Sequence, residues 1–211
     1  MLICVTQRKL CQGNFLHRID QLAQAKPYSV MLREKDLDLT AYERLAWKVK
    51  EICDRYGVLL ILHQNISVAE KMKCTHIHLS MPALRTYQKG DHPLLVGASV
   101  HSVAEAQAAQ ALGAAYLVAG HIYATDCKKG VPPKGLAFLK QVCQAVELPV
   151  FAIGGIARNS VKEIVKSGAA GFCVMSEAMT CKDPEALVQD FAKKKLLAFG
   201  NRHSKHCEPI S

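Results

Sequence analysis

One pattern constrains the fold of this chain more than any other: short apolar runs rich in Val, Ile and Leu alternate with longer segments of helical period. A strand, a crossover helix and a parallel strand form a right-handed unit almost without exception, so repeated units of this kind build a parallel sheet covered by helices. Eight strand candidates occur, at residues 2–6, 28–33, 58–63, 76–79, 94–99, 115–119, 149–153 and 171–175.

Helical period occupies most of the intervening segments. Eight strand-helix units close most naturally into a single α/β domain, a (β/α)8 TIM barrel with a parallel eight-stranded core. A doubly wound open sheet is the alternative. The segment 82–93 has only a weak helical pattern, for which a loop is the other interpretation. The helix candidates are 14–25, 40–56, 66–72, 102–112, 135–146, 157–167 and 183–198.

Composition indicates one soluble, cytoplasmic domain. The chain has 211 residues, 50% of them hydrophobic, and no linker-like stretch divides residues 1–199. Residues 200–211 are a polar C-terminal tail, either disordered or ordered as an arm. The N-terminus is too short for a signal-peptide core, and no apolar run approaches a membrane span. Nine cysteines without a Cys-x-x-Cys spacing are typical of small buried hydrophobes in a reducing compartment.

The formal charge of +9 is compatible with three partners: nucleic acid, an acidic membrane surface or a small anionic substrate. The lysines are scattered except at 193–195, near the predicted end of a helix, where they complement the helix dipole. No nucleic-acid recognition motif accompanies the charge. We therefore expect a small anionic substrate, no nucleic acid and no membrane. Because barrels of this size often pair, we also expect a homodimer.

A glycine-bounded loop after the sixth strand candidate concentrates reactive side chains. Residues 120–130 read GHIYATDCKKG. The histidine that opens this loop, His121, can exchange a proton near neutral pH, and the lysines that follow can hold an anionic substrate. Barrel active sites lie on the loops that leave the carboxyl ends of the strands, where further polar residues occur. The candidate substrate-binding residues are Arg33, Lys35, His63, Ser99, Thr125, Asp126 and Lys128.

The ends of strands seven and eight predict a phosphate site. Gly154 and Gly155 follow strand seven, and Met175 and Ser176 open a short helix after strand eight. Glycine lets a ligand approach the backbone closely, and a helix start offers unpaired N–H donors. The alternative is that the two glycines only make a tight strand-to-helix turn.

Several segments together resemble the thiamine phosphate synthase superfamily, over nearly the whole chain up to about residue 198. That superfamily includes the synthase, which joins a pyrimidine diphosphate to a thiazole phosphate, and a TenI-like branch with a thiazole tautomerase. The segments that carry the resemblance are 30–35 (VMLREK), 60–65 (LILHQN), 76–79 (HIHL), 96–101 (VGASVH), 120–130 and 153–156 (IGGI).

Two departures from the synthase pattern remove carboxylates. The resemblance implies Asn-Asp-Arg after strand three, with an Asp that helps to hold Mg²⁺, and this chain has His63-Gln64-Asn65. After strand four the pattern is Gly-Gln-x-Asp, and here the chain reads SMPA at 80–83. Because Mg²⁺ takes hard oxygen ligands, the loss of both carboxylates argues against the synthase reaction.

The third departure lies after strand six, where the synthase pattern has Gly-Pro and this chain has Gly120-His121. In this feature the chain resembles the tautomerase branch, in which a histidine follows the glycine. The resemblance then implies that His121 is the catalytic base and acid of a thiazole tautomerase, an isomerase of thiamine biosynthesis. Its substrate would be a small phosphorylated thiazole precursor, a carboxylated dihydrothiazole ethyl phosphate, which becomes aromatic by proton transfer. This reaction requires no metal and no other cofactor.

Alternatives remain open at this point. For the function, the alternatives are a Mg²⁺-dependent thiamine phosphate synthase and a non-catalytic sensor of a phosphorylated ligand.

Each candidate residue also has a structural alternative. His121 could be a core histidine satisfied by backbone carbonyls. Arg33 and Lys35 could form rim salt bridges with Glu34 or Asp36. Asp126 would only hold its loop, His63 would only fill space, and His76 with His78 would be a metal pair or packed residues.

Overall fold

The computed structural model describes residues 1–90 and 93–199. Its eight strands are parallel and form a closed barrel in sequence order. The predicted barrel is confirmed and the open sheet is excluded, because β1 pairs with β8 through Ile3 and Cys173. The strands are β1 Leu2–Val5, β2 Ser29–Leu32, β3 Leu59–His63, β4 His76–Ser80, β5 Leu95–Val100, β6 Tyr116–Gly120, β7 Val150–Ile153 and β8 Gly171–Val174.

Helices cover the outside of the barrel and agree with the helical periods of the sequence. α4 occupies part of the segment with weak pattern: Pro82 lies in its first turn, and Met81 and Leu84 are buried. The segment at 157–167 starts as a 3-10 turn and becomes α-helical at Val161. The helices are α1 Phe15–Gln24, α2 Leu39–Tyr56, α3 Ile66–Lys71, α4 Met81–Thr86, α5 Val103–Ala111, α6 Gly135–Ala145, α7 Val161–Lys166, α8 Ser176–Thr180 and α9 Pro184–Phe199.

The barrel interior contains a column of rings that rises from its floor toward the carboxyl ends of the strands. Phe151 packs edge-on against Tyr116, with 5.8 Å between ring centroids. His78 lies 5.6 Å from Tyr116, and His63, the last residue of β3, lies 6.0 Å from His78. A Cβ on Gly97 would meet the Tyr116 ring at 2.0 Å, so this position of β5 leaves room only for glycine.

The cysteines of the described residues are all free, and Cys4, Cys53, Cys74 and Cys173 are buried. These four agree with the predicted use of cysteine as a small core residue. Within residues 1–90 and 93–199, no helix is both long enough and apolar enough to cross a membrane. The predicted tail at 200–211 lies outside the described residues.

Candidate active site at the barrel mouth

The segment that leaves β2 separates its charges onto two sides. The buried Glu34 accepts hydrogen bonds from the Thr6 hydroxyl (2.6 Å) and the Arg8 amide (3.0 Å). The Asp36 carboxylate pairs with Arg8 (2.8 Å) and Lys9 (2.9 Å), which hold the pKa of Asp36 well below its usual range. Both acids are therefore neutralised by residues that follow β1, and they do not form the rim salt bridges that were the alternative for Arg33 and Lys35.

Three cations instead converge at the mouth without a carboxylate partner among the described residues. The Arg33 guanidinium lies 3.8 Å from the Met175 sulfur, at the end of β8. The nearby Arg33 charge, then partial burial, then the Lys128 charge lower the pKa of Lys35. No ion pair within the described residues involves Arg33, Lys35 or Lys128. Arg33 after β2 and Cys127 after β6 contact the neighbouring residues Met175 and Ser176, so both loops place positive charge near the start of α8, which favours an anionic ligand.

Asp126 and Thr125 contribute to the shape of the β6 loop. Asp126 is almost fully exposed and lies 3.8 Å from the Lys129 ammonium, so its partner is Lys129 and not Lys128. The Thr125 hydroxyl accepts a long hydrogen bond from the Cys127 amide at 3.5 Å. The Cys127 sulfur lies 4.0 Å from the Ser176 hydroxyl, which brings the β6 loop beside the start of α8.

His121 is buried beneath its own loop. One ring nitrogen, Nε2, is 3.2 Å from the Val131 carbonyl and in the matching tautomer donates to it. The His121 carbonyl accepts from the Lys134 amide at 2.9 Å, so the loop bonds back onto the residue that begins it. The preceding carbonyl of Gly120 lies 2.8 Å from Nδ1 of His101, whose ring donates to it. One ring nitrogen of His121 therefore has a backbone carbonyl as its partner.

Gly154 and Gly155 are required by the packing of two loops. Their φ angles are +94° and +64°, in the region that favours glycine. A Cβ on Gly154 would lie 2.2 Å from the His121 Cβ, and one on Gly155 would lie 2.4 Å from the Ala124 carbonyl oxygen. Protein fills the space beside both glycines, so the turn explains them without a ligand. The phosphate site at Gly154, Gly155, Met175 and Ser176 stays a prediction.

A chain of neutral polar groups lies below the mouth, inside the barrel. His78 is 2.8 Å from the Ser99 hydroxyl through Nε2 and 3.3 Å from the Tyr116 hydroxyl through Nδ1. Burial lowers the pKa of His78 to about 3, and burial together with His78, Arg33 and Lys35 lowers that of His63 to about 3. The Ser99 hydroxyl therefore belongs to this hydrogen-bonded group, and both histidines are uncharged at neutral pH.

The residues after β3 and β4 do not fit a magnesium ion. The segments 63–65 and 80–83 contain neither Asp nor Glu, and Ala83 lies inside α4. The His63 amide donates to the Tyr42 hydroxyl (3.2 Å), and the Gln64 amide to the His78 carbonyl (3.0 Å). Mg²⁺ is held mainly through carboxylates and phosphates. The described residues hold no group of three or more His, Cys, Asp and Glu placed to bind a metal, and His76 is 2.8 Å from the Thr75 hydroxyl instead.

Sequence reasoning missed Thr6, Arg8 and Tyr42, which support the mouth from the end of β1 and from α2, and it considered Glu34 only as a rim salt-bridge partner. Thr6, Arg8 and Glu34 form one cluster, and the Tyr42 hydroxyl joins the Leu32 carbonyl (2.8 Å) to the His63 amide. An acid alternating with Arg33 and Lys35 was the available signal for Glu34. The sequence contains no comparable signal for Tyr42, because the contacts of its hydroxyl with Leu32 and His63 depend on how α2 packs against the barrel.

Comparison with known proteins gives a consistent result along most of the chain. A family model described as thiamine monophosphate synthase matches residues 2–178. The chain is 33% identical over 193 residues to a thiamine-phosphate synthase of Fusobacterium nucleatum, a match that covers 90% of this chain and 94% of that protein. It is 32% identical over 184 residues to thiamine-phosphate synthase 2 of Streptococcus pneumoniae, covering 86% and 88%.

A solved structure has the same architecture. The thiamine phosphate pyrophosphorylase from Pyrococcus furiosus superposes with a TM-score of 0.81, covering 94% of this chain and 96% of that one at 24% identity. At that identity the likeness concerns the fold, and it agrees with the closed barrel.

These relatives contradict the prediction of a thiazole tautomerase. They are named as synthases, which are transferases, whereas a tautomerase is an isomerase. The isomerase prediction depended on His121, whose ring is buried and lies 3.2 Å from a carbonyl of its own loop. Its role as the base of that isomerisation is withdrawn, and its participation in the site stays a prediction.

Proposed function

The chain belongs to the thiamine monophosphate synthase family, and from that premise we propose that it is a transferase that joins a pyrimidine diphosphate to a thiazole phosphate at the barrel mouth. The observation that carries the proposal is the similarity to proteins named thiamine-phosphate synthase, at 32–33% identity over 86–90% of the chain. A fragment of similarity would support the fold alone, but this one includes every strand of the barrel.

The charges at the mouth suit such a reaction. When the bond between the pyrimidine substrate and its diphosphate breaks, the leaving group takes the electron pair and its negative charge must be stabilised. Arg33, Lys35 and Lys128 are cations that no acid among the described residues neutralises. Preformed positive charge of this kind costs no reorganisation at the moment of reaction.

The other candidate residues divide into two groups in this proposal. The backbone amides at Gly154, Gly155, Met175 and Ser176 receive the phosphate of the thiazole substrate. The uncharged ring of His63, at the inner wall of the mouth, contacts the organic part of a substrate. Further contacts come from the β5 and β6 ends, through Ser99, His121, Thr125 and Asp126.

The test is a coupling assay with the purified full chain. The protein is incubated with the pyrimidine diphosphate and the thiazole phosphate, and both thiamine phosphate and released diphosphate are measured. We expect one of each per turnover. Arg33→Gln should reduce turnover at least 100-fold, because it removes a charge near the leaving group, while Lys193→Gln on the exposed face of α9 should leave turnover unchanged.

The opposite result has a specific meaning. If both substrates bind and no product forms, the transferase proposal is wrong and the protein is a non-catalytic binder of phosphorylated ligands. The observation that favours this second function is the lack of carboxylates in the segments 63–65 and 80–83.

A further inference from the structure

The mouth carries a charge pattern opposite to the one that a bound dication requires. Glu34 and Asp36 are the acids nearest in sequence to the cationic pair, and both are engaged by Thr6, Arg8 or Lys9. The exits of β3 and β4 supply no carboxylate. A dication placed there would lose part of its hydration shell without gaining an anionic ligand from the protein.

Neighbouring cations add repulsion to that deficit. β2 and β3 are adjacent strands paired through Leu32 and Leu62, so their exits lie side by side. Burial, and then the charges of His78, Arg33 and Lys35, lower the pKa of His63. A positive ion at these exits would be repelled by the Arg33 and Lys35 side chains. Burial keeps the imidazole itself neutral, and no acid among the described residues forms an ion pair with it.

A diphosphate meets the reverse situation. Its negative charges would relieve the repulsion of Lys35 by Arg33 and Lys128. The two loops that carry these cations meet at the start of α8, where Arg33 lies 3.8 Å from the Met175 sulfur and the Cys127 sulfur lies 4.0 Å from the Ser176 hydroxyl. Charge-assisted hydrogen bonds from Arg and Lys to phosphate oxygens are among the stronger polar contacts in proteins. Three cations together would neutralise the negative charge of a diphosphate that a divalent metal ion would otherwise neutralise.

We propose that this protein binds the diphosphate group as the metal-free anion, with Arg33, Lys35 and Lys128 in the place that a divalent cation and its carboxylates would take. The identity of the ligand depends on the proposed function, but the independence from metal does not. Free Mg²⁺ then competes with the protein for the diphosphate.

Inorganic pyrophosphate is the probe, and isothermal titration calorimetry on the full chain is the measurement. In EDTA we expect saturable binding with a stoichiometry of one, and in excess Mg²⁺ a Kd that is unchanged or weaker. A Kd at least tenfold tighter in Mg²⁺ than in EDTA, or binding seen only with Mg²⁺, would overturn the proposal.

Substitutions locate the binding. Lys35→Gln and Lys128→Gln should each weaken pyrophosphate binding in EDTA at least tenfold. Lys129→Gln is the matched control, because Lys129 neighbours Lys128 but is exposed and faces Asp126. If all three variants bind like the original protein, the pyrophosphate lies elsewhere and the proposal fails. Thermal melts of each variant verify that it is folded.

The coupling assay separates this inference from the proposed function. Metal-free binding without turnover keeps the inference and refutes the transferase. Turnover that requires Mg²⁺, together with pyrophosphate binding that requires it, keeps the transferase and refutes the inference. Turnover that persists in EDTA supports both.

Discussion

The interior of the barrel and its mouth treat ionisable groups in opposite ways. Inside, His78 is kept neutral and lies within hydrogen-bonding distance of the Tyr116 and Ser99 hydroxyls. At the mouth, the charges of Arg33 and Lys128 act on Lys35, and no carboxylate of the described residues forms an ion pair with it. Inside the barrel, both ring nitrogens of His78 have hydroxyl partners without a ligand, whereas the mouth has a charge imbalance that a bound anion would correct. We therefore expect substitutions inside the barrel to change stability and substitutions at the mouth to change binding.

The strongest test of that separation is a large deletion in the interior. Phe151→Ala removes a fully buried ring that packs on Tyr116, and we expect a loss of about 3–5 kcal/mol in the free energy of unfolding, measured by urea denaturation. Trp47→Ala is the surface control, since Trp47 is 46% exposed, and it should lose far less. Equal losses in the two variants would mean that the ring column contributes no more to the free energy of unfolding than a surface side chain does.

The pH dependence of stability probes the two neutral histidines. The folded protein keeps His63 and His78 unprotonated down to a pKa of about 3, while in the unfolded chain each takes a proton near pH 6.5. Between those values the unfolded state binds more protons, so stability falls as pH falls.

Each buried histidine should add a slope of about 1.4 kcal/mol per pH unit over this window. His63→Asn should remove one such slope, measured as the free energy of unfolding at several pH values between 4 and 6. An unchanged slope in this variant would show that His63 is already protonated in the folded protein.

A smaller effect is expected from a single hydroxyl in the column. Tyr116→Phe removes the group that lies 3.3 Å from His78 and leaves that ring nitrogen without its partner. We expect a loss of about 0.5–1.5 kcal/mol in the free energy of unfolding, with pyrophosphate binding unchanged. A change in binding without a change in stability would place Tyr116 functionally at the mouth.

The smallest effect has the opposite sign. Because its neighbours lower the pKa of Lys35, the charged form is disfavoured by folding at every pH below that pKa. Lys35→Gln should therefore raise the Tm of the ligand-free protein slightly, and Lys129→Gln should not. With saturating pyrophosphate the order should reverse, since the unsubstituted protein gains more from the ligand. A lower Tm for ligand-free Lys35→Gln would refute the charge imbalance.

Much of the fold could be read from the sequence because it depends on local periodicity. All eight strand candidates and seven helix candidates occur close to their predicted bounds. Pro82 and the short apolar pattern around it concealed α4, whose Met81 and Leu84 are buried in the folded protein. The positions of Arg33 and Lys35 at the mouth likewise follow from the end of β2.

The site was less predictable because its chemistry depends on distant partners. The sequence could not show that Arg33 lacks an acidic partner among the described residues, because Glu34 and Asp36 pair with Arg8 only in the folded protein. The segment 120–130 shows which reactive side chains the loop carries. The burial of His121, however, depends on hydrogen bonds with the Val131 carbonyl and the Lys134 amide, which lie beyond that segment. The loop motif alone therefore led to an isomerase that the relatives do not support.

The pairing of β1 with β8 also affects how the protein can be made on a ribosome. The carbonyl of Met1 accepts a hydrogen bond from the Phe172 amide, so one edge of β1 can pair only after β8, the last strand of the barrel, has been synthesised. Until about residue 174 has emerged from the exit tunnel, the edge of β1 that pairs with β8 stays exposed to solvent, and pairing across so many residues is slow. The nascent polypeptide therefore has a long period in which chaperones would shield its leading edge.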